Sequence, residues 1–253
     1  MFLGAVGALG AAALPGRAAE EKRTRFYTLE QFFLKNGTQL PRMHEFISKT
    51  MLPALAAAHS GPKICLEALV APHMPQYAAI FGFESLEQMW ETHGKVLSNP
   101  EVLKKYDEYE RGPEPPFESQ TNTLLEAADY SPEITMPDTP GAPRIFELRV
   151  YHSPTGRQLQ ALHERFAGPE IRIFHRCGIY PVLYTSTVFG ANVPNLTYLI
   201  PFESLAAREK AWAAFGADPE WVKVRQESIE KHGQISSVIQ ISLYKAAPYS
   251  PVR

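Results

Sequence analysis

The sequence predicts an α+β protein made of two ferredoxin-like βαββαβ halves. The first observation is a set of motifs that recurs at one fixed spacing of 119 residues. Phe83-Glu84-Ser85-Leu86 returns as Phe202-Glu203-Ser204-Leu205, and His44-Glu45 returns as His163-Glu164. Chance matches would scatter over many spacings, so the constant one indicates an internal duplication. The period is too long for a solenoid, whose repeats span about 20–50 residues.

The second observation is the order of elements in residues 24–128. Alternating or β-branched stretches predict strands, and apolar residues at three- and four-residue spacing predict helices. The predicted strands are Arg25–Leu34, Lys63–Val70, Tyr77–Phe83 and Glu118–Glu126, and the predicted helices are Thr38–Ala58, Leu86–Leu97 and Pro100–Glu110. This is the order βαββαβ, with the second helix broken in two.

Residues 144–247 give the same order. Ser204 is a good N-cap, and Asp218 followed by Pro219 starts another helix, because Pro is well tolerated in the first helical turn. The predicted strands are Arg144–Tyr151, Tyr180–Phe189, Asn195–Pro201 and Ile235–Lys245, and the predicted helices run from Gly156 to about His175, over Leu205–Phe215, and onward from Pro219.

The third observation is the joint between the halves, residues 129–143. It holds Pro132, Pro137, Pro140 and Pro143, and four prolines cannot lie inside regular elements. Residues 248–253 form a short tail. Helices cover one face of each four-stranded sheet, so the other face needs a cover, and the sheet of the other half supplies it.

Composition excludes several classes of function. The net charge of −2 and the absence of a basic block argue against a nucleic-acid partner. No metalloprotease, serine hydrolase, P-loop, Cys-x-x-Cys or dinucleotide motif is present, so the sequence predicts neither a resident metal nor a cofactor. Cys65 and Cys177 are not equivalent in the repeat, and we interpret them as free thiols.

Residues 1–22 resemble a secretory signal without its positive start. The apolar stretch through Leu14 is followed by small residues, and it is too short to span a bilayer as a helix in the mature chain. Phe2-Leu3-Gly4 resembles the part of a twin-arginine signal that follows the arginine pair. We therefore expect export to the periplasm. The alternative is a disordered tail on a cytoplasmic protein.

Strand alternation gives the candidate site. Phe146, Leu148 and Val150 share one face and are expected to meet the helices, which turns Glu147, Arg149 and Tyr151 into the barrel. The fixed spacing places Glu30 there too, and the second strands of the halves add Glu67 and Tyr184. Buried charges need partners, so these residues form either a structural ion pair or a polar ligand pocket. In the pocket, Arg149 would bind a carboxylate or enolate and Glu147 or Glu30 would act as a base.

Other repeated residues are better explained by packing. His44 and His163 lie at the edge of apolar helix stripes, so we interpret both as satisfied packing residues. The serines of the two Phe-Glu-Ser-Leu motifs cap helices. Trp90 and Trp212 are expected to anchor the core.

These features together resemble the NIPSNAP family of the dimeric α/β-barrel superfamily. The resemblance rests on the paired opening strands, on each strand that leads into Phe-Glu-Ser-Leu, on the Trp in the next helix, and on the Asn99-Pro100 and Asp218-Pro219 helix starts. It covers nearly all of residues 25–247 and implies tandem domains that close one barrel. The resemblance does not settle whether the protein is an enzyme. It also leaves open whether the complete chain forms a homo-oligomer.

The resemblance implies three functions. The first is binding of a small organic ligand in the barrel interior. The second is a cofactor-independent monooxygenase-like or haem-associated activity, because relatives in the superfamily include both kinds of protein. The third is a protein-interaction module without an enzymatic role.

Overall fold

The computed structural model describes residues 23–139 and 141–253. The strands are β1 (Phe26–Phe33), β2 (Lys63–Val70), β3 (Gln76–Phe83), β4 (Ser119–Ala127), β5 (Ile145–His152), β6 (Leu183–Phe189), β7 (Asn195–Phe202) and β8 (Val238–Ala246). The helices are α1 (Gln39–Phe46), α2 (Leu52–Ala58), α3 (Leu86–Leu97), α4 (Pro100–Glu110), α5 (Gly156–Arg165), α6 (Ile171–Arg176), α7 (Leu205–Ala217) and α8 (Pro219–His232). Each half therefore has the predicted βαββαβ order, with α1–α2 and α5–α6 each acting as one helix.

The strands close into one antiparallel barrel, in the order β1-β3-β2-β8-β5-β7-β6-β4. Each half contributes the four-strand order of a ferredoxin-like sheet. Two seams join the sheets, where β2 pairs with β8 and where β4 pairs with β6. Both seams are paired, so neither sheet has a free edge along the barrel. The predicted fold, two ferredoxin-like halves that close one barrel, is therefore confirmed.

The spacing of 119 residues holds in the structure as well as in the sequence. It relates β1 to β5, β3 to β7 and β4 to β8 at both ends of each strand. It also relates two π-helical turns, Ile47–Met51 and Phe166–Glu170, which interrupt the first long helix of each half at the same point. Residues at this spacing therefore occupy equivalent places in the two halves.

Local sequence explains where the helices begin. The Ser85 side chain accepts a hydrogen bond from the backbone N–H of Gln88, and Ser204 does the same for Ala207. Asn99 and Asp218 cap the helices that follow them, each with Pro in the first turn. The repeated Phe-Glu-Ser-Leu motif is thus a strand end joined to a helix cap.

The protein has three apolar cores. One fills the barrel and contains strand residues of both halves, such as Leu29 and Leu148. The second lies between the first sheet and its helices, and the third lies between the second sheet and its helices. Trp212 packs against the third core, whereas Trp90 is 68% exposed, so the expectation that Trp90 anchors the core was wrong.

One end of the barrel is plugged by the joint and by the C-terminal tail. Ile134 and Val252 are buried in the barrel core, and Met136 packs against it. The backbone N–H of Thr24 donates to the carboxylate of Glu133 at 3.1 Å, which holds the joint against β1. The opposite end, near Gln31 and Gln76, has no such plug among the described residues.

Two sequence predictions concern the compartment of the protein. Cys65 is a buried free thiol, and Cys177 is a partly exposed one. The export segment, residues 1–22, lies outside the described residues and stays a prediction. In the described part of the chain, no helix has both the length and the apolar character needed to cross a membrane.

Candidate functional site

The side-chain orientation predicted for the strands was wrong. Phe146 and Leu148 point into the barrel core, so their neighbours Glu147, Arg149 and Tyr151 point outward to the helices. The same holds for Glu30, whose neighbour Leu29 lies in the barrel core. Alternation identifies which residues share a face, but both faces of these strands are covered, so it does not tell which set enters the barrel. On β5 it is the apolar set, with Phe146 and Leu148, that enters the barrel.

Glu147 and Arg149 form a structural ion pair rather than a pocket. The Glu147 carboxylate is fully buried, and Arg149 Nη1 donates to its Oε1 at 2.8 Å. Arg208 Nε and Trp212 Nε1 donate to its Oε2 at 2.6 and 2.9 Å. The Arg149 guanidinium lies 4.1 Å from the centre of the Trp212 ring. The Glu147 charge is therefore balanced by groups of this chain.

The other three predicted residues of the site also face the helices. Tyr151 and Tyr184 both pack against Tyr198, with ring centres 5.2 and 5.7 Å apart. Glu67 is held by Lys245 Nζ at 2.9 Å and lies 3.1 Å from His44 Nε2. The structure thus distributes the six predicted residues over two helix-covered compartments: Glu30 and Glu67 in the first half, and Glu147, Arg149, Tyr151 and Tyr184 in the second.

Glu30 lines a cavity between the first sheet and its helices. The cavity measures about 270 Å³ and lies between the outer face of the first sheet and helices α1 to α4. Its walls are mostly aromatic, aliphatic and thioether side chains. They include Phe32, Met43, Phe46, Ile47, Met51, Ala79, Phe81, His93, Tyr106 and Phe117.

The carboxyl group of Glu30 has unusual electrostatics. Burial raises its pKa to about 7, because the apolar surroundings disfavour the charged form. Within residues 23–139 and 141–253, no hydrogen bond or ion pair of this carboxyl is found. The side chain has a partly exposed surface, which faces the cavity that it lines. A carboxyl group in this state is suited to take up a proton near neutral pH.

The equivalent compartment of the second half is filled. Ala79 corresponds to Tyr198, which is fully buried, and Leu55 corresponds to Phe174. His93 corresponds to Trp212, which lies with its ring 5.5 Å from that of Phe174. Glu30 itself corresponds to Arg149. The two halves therefore share a fold, whereas the space beside the first sheet belongs to the first half.

Two further features border the cavity. The π-helical turn Ile47–Met51 contributes both of its end residues to the wall, and such turns are frequent at functional sites. The rings of Phe46 and Tyr109 are stacked 4.3 Å apart and separate the cavity from an open cleft of about 810 Å³. That outer cleft is larger, but its rim carries charges of both signs and it is open to solvent.

Sequence reasoning named Glu30, but for a pocket inside the barrel, and it missed the residues that form the cavity walls. The available signal was the pairwise comparison of the halves, in which Ala79 stands opposite Tyr198 and Leu55 opposite Phe174. A small residue facing a large one at equivalent places indicates space in one half. In the described residues, no group of three or more His, Cys, Asp or Glu side chains is arranged to hold a metal ion.

Comparison with known families decides the identity of the second half. The NIPSNAP family model matches residues 146–251, from β5 through β8 and into the tail. Residues 146–251 are a NIPSNAP domain. The family suggested by the sequence is therefore confirmed for the second half. No curated protein matches the chain by sequence at a significant level.

Several solved structures are similar to this chain over most of its length. A putative monooxygenase from Lactobacillus acidophilus NCFM has a TM-score of 0.56 at 9% identity, over 88% of this chain and 93% of that one. An anthrone oxidase-like protein has a TM-score of 0.56 at 13% identity, over 91% and 94%. A putative chlorite dismutase has a TM-score of 0.50 at 11% identity, over 90% and 96%. At these identities the likeness shows the fold alone.

Proposed function

We propose that the cavity beside Glu30 binds a small aromatic molecule with a weakly acidic C–H or O–H group, and that Glu30 removes that proton. The observation that carries the proposal is an unpaired carboxyl group, with a pKa of about 7, at the wall of an apolar cavity of about 270 Å³. Unpaired buried charges are costly, and a ligand with an acidic group gives this one a partner.

The proposed proton transfer uses side chains that line the cavity. Deprotonated Glu30 takes the proton and becomes neutral, while the negative charge moves onto the ligand and spreads over its conjugated system. His93 lines the same cavity, and burial lowers its pKa, so it is neutral near pH 7. Its imidazole can donate one N–H to the developing anion.

Two comparisons support this function without establishing it. The putative monooxygenase and the anthrone oxidase-like protein share the barrel, and anthrone is an aromatic compound with an acidic C–H group. The spacing of 119 residues further leads us to propose that the first half is a second, diverged NIPSNAP domain. In this proposal, duplication freed the first half to keep a cavity while the second half became packed.

The alternatives from the sequence fit less well. A haem macrocycle is larger than the cavity, which lies at the lower limit of about 300–1,000 Å³ for small-molecule sites. A ligand deep in the barrel would have to displace the buried apolar core formed by residues such as Leu29 and Leu148. A pure interaction module would leave the raised pKa of Glu30 without a role.

The test uses anthrone and 2-naphthol as probes. We expect both to bind the full chain saturably, as measured by NMR titration. For anthrone, an oxygen electrode also follows the dissolved O2 that the deprotonated ligand consumes, which reports the proton transfer rather than the binding. Glu30→Gln keeps the shape of the side chain but removes the base, so binding should persist while proton transfer and any oxygen uptake stop. Glu84→Gln, an exposed carboxylate in the same half, is the matched control. The proposal fails if neither probe binds, or if Glu30→Gln and Glu84→Gln behave alike.

A further inference from the structure

The open end of the barrel forms a second recess, separate from the cavity beside Glu30. It measures about 450 Å³ and lies on the inner face of the strands, at the end opposite the plug of Ile134 and Val252. Both halves contribute to it in equivalent pairs, such as Gln76 with Asn195 and Thr121 with Gln240. The recess therefore lies on the approximate twofold axis that relates the halves.

The recess has a mixed lining and carries no ionisable side chain among its described residues. Amides and hydroxyls alternate there with an apolar surface, formed by the ring of Phe33, the branched aliphatic Leu29, Leu148 and Val150, and the small residues Pro72 and Ala191. Amides and hydroxyls offer both donors and acceptors.

Gln76 has an acceptor without a partner in this recess. The side chain is 1% exposed, and its Nε2 donates to the Tyr244 hydroxyl at 2.8 Å. Gln31 Nε2 also donates to this hydroxyl, at 3.3 Å. The Oε1 atom of Gln76 is buried and has no hydrogen-bond partner. A buried acceptor that is left unpaired is destabilising, so a donor placed in the recess is stabilised there.

The equivalent residue of the second half is already satisfied. Asn195 Oδ1 accepts from the hydroxyls of Thr187 and Thr197, at 2.7 and 3.0 Å. Its Nδ2 donates to the backbone carbonyl of Asn192 at 3.0 Å. The open acceptor is thus specific to the Gln76 side of the recess.

We propose that the open end of the barrel binds a neutral, hydroxyl-rich molecule of about monosaccharide size. A hydroxyl group of the ligand donates to Gln76 Oε1, and other hydroxyls exchange hydrogen bonds with the threonines and amides of the wall. The C–H face of the ligand rests on Phe33 and the three aliphatic residues. A charged ligand would lose solvation without gaining an opposite charge, and a wholly apolar ligand would leave the amides unpaired.

The test uses D-glucose and myo-inositol as neutral probes, with D-glucuronate and D-glucosamine as charged counterparts. Binding to the full chain is measured by NMR titration and by protection against thermal unfolding. We expect saturable binding of at least one neutral probe, and at least about tenfold weaker binding of both charged ones. Gln76→Leu removes the acceptor and is expected to weaken binding by about tenfold or more.

A second variant keeps the proposal testable if Gln76→Leu fails to fold. Ser242→Leu fills part of the recess from a partly exposed position and leaves Gln76 in place, and it is expected to abolish binding. Gln226→Leu, an exposed amide on α8, is the matched control and should bind like the wild type. The proposal is overturned if no neutral probe saturates, which would mean a recess filled by water only, or if Ser242→Leu binds as well as the control. A failure of the function proposed for the cavity beside Glu30 would not affect the binding of these probes to the recess.

Discussion

The hydroxyl of Tyr249 lies 2.9 Å from Nδ1 of His44, although the two residues come from opposite halves of the chain. The equivalent pair, Tyr130 and His163, is 2.7 Å apart. The next residues repeat the exchange, since Ser250 Oγ accepts from the Cys65 backbone N–H and Ser131 Oγ accepts from that of Tyr184. The segment after each half is thus bound by the other half, which couples the two halves in folding.

Removal of either exchanged hydroxyl is expected to destabilise the whole barrel to a similar degree. Tyr249→Phe and Tyr130→Phe each delete a side-chain hydrogen bond to a histidine, worth about 1 kcal/mol of unfolding free energy. Tyr249→Phe also deletes the longer hydrogen bond that Tyr249 donates to the Tyr77 hydroxyl at 3.3 Å. Chemical denaturation measures the loss, and a double-mutant cycle with His44→Ala separates the Tyr249 pair from other effects. A coupling energy near zero would contradict the role assigned to this contact.

Glu30→Gln is expected to stabilise the protein at alkaline pH. Burial raises the pKa of Glu30 from 4.5 to about 7, so the folded protein keeps a proton there that the unfolded chain releases. The wild type therefore loses stability as pH rises from about 4.5 to 7, by on the order of 3 kcal/mol from this group. The variant should match the wild type at pH 4 and exceed it at pH 8. Equal pH profiles by denaturation would show that Glu30 has an ordinary pKa.

Much of the fold could be predicted from sequence, because each element has local signals. Leu86–Leu97 and Pro100–Glu110 were predicted with the observed bounds, since Ser85 and Asn99 cap them in the ordinary way. The direction of the side chains could not be predicted. Glu147 and Arg149 alternate with apolar residues as an interior polar set would, but their partners Arg208 and Trp212 come from a helix about 60 residues away. Only tertiary structure brings those partners to the strand.

Glu147→Gln is expected to have an effect opposite to that of Glu30→Gln. The Glu147 carboxylate is fully buried and accepts from Arg149, Arg208 and Trp212. Its neutralisation leaves two guanidinium groups in a buried site without their counter-charge, at a cost of about 3–5 kcal/mol. Urea denaturation of the two variants at pH 8 compares them directly. A mild effect of Glu147→Gln would indicate that solvent reaches the ion pair.

Ala79→Tyr is expected to close the cavity beside Glu30. It places in the first half the residue that fills the second, where Tyr198 is fully buried. Binding of 2-naphthol should disappear. Overpacking is expected to lower the free energy of unfolding by about 1–3 kcal/mol. The reverse change, Tyr198→Ala, removes a buried aromatic ring and should lower the free energy of unfolding by about 3–5 kcal/mol. It should not create a 2-naphthol site in the second half, where Arg149 stands in the place of Glu30. Retained binding in Ala79→Tyr would place the 2-naphthol site elsewhere.

The two seams of the barrel predict how the first half behaves alone. In the full chain β2 pairs with β8, and β4 pairs with β6, so each seam joins a second strand to a fourth strand of the other half. Residues 23–137 contain both kinds of strand. Two copies can therefore form the same seams with each other and cover the apolar faces that include Leu29 and Ile80.

This fragment is expected to form a homodimer in which Tyr130 replaces Tyr249 at His44 of the other copy. Analytical ultracentrifugation measures the dissociation constant of the dimer. Tyr130→Phe should raise this constant by about fivefold per site, as expected for the loss of a hydrogen bond of about 1 kcal/mol. Tyr106→Phe, which changes a hydroxyl away from the seams, is the control. A stable monomeric fragment would contradict this account, because an exposed apolar sheet face and two open strand edges are not tolerated in isolation.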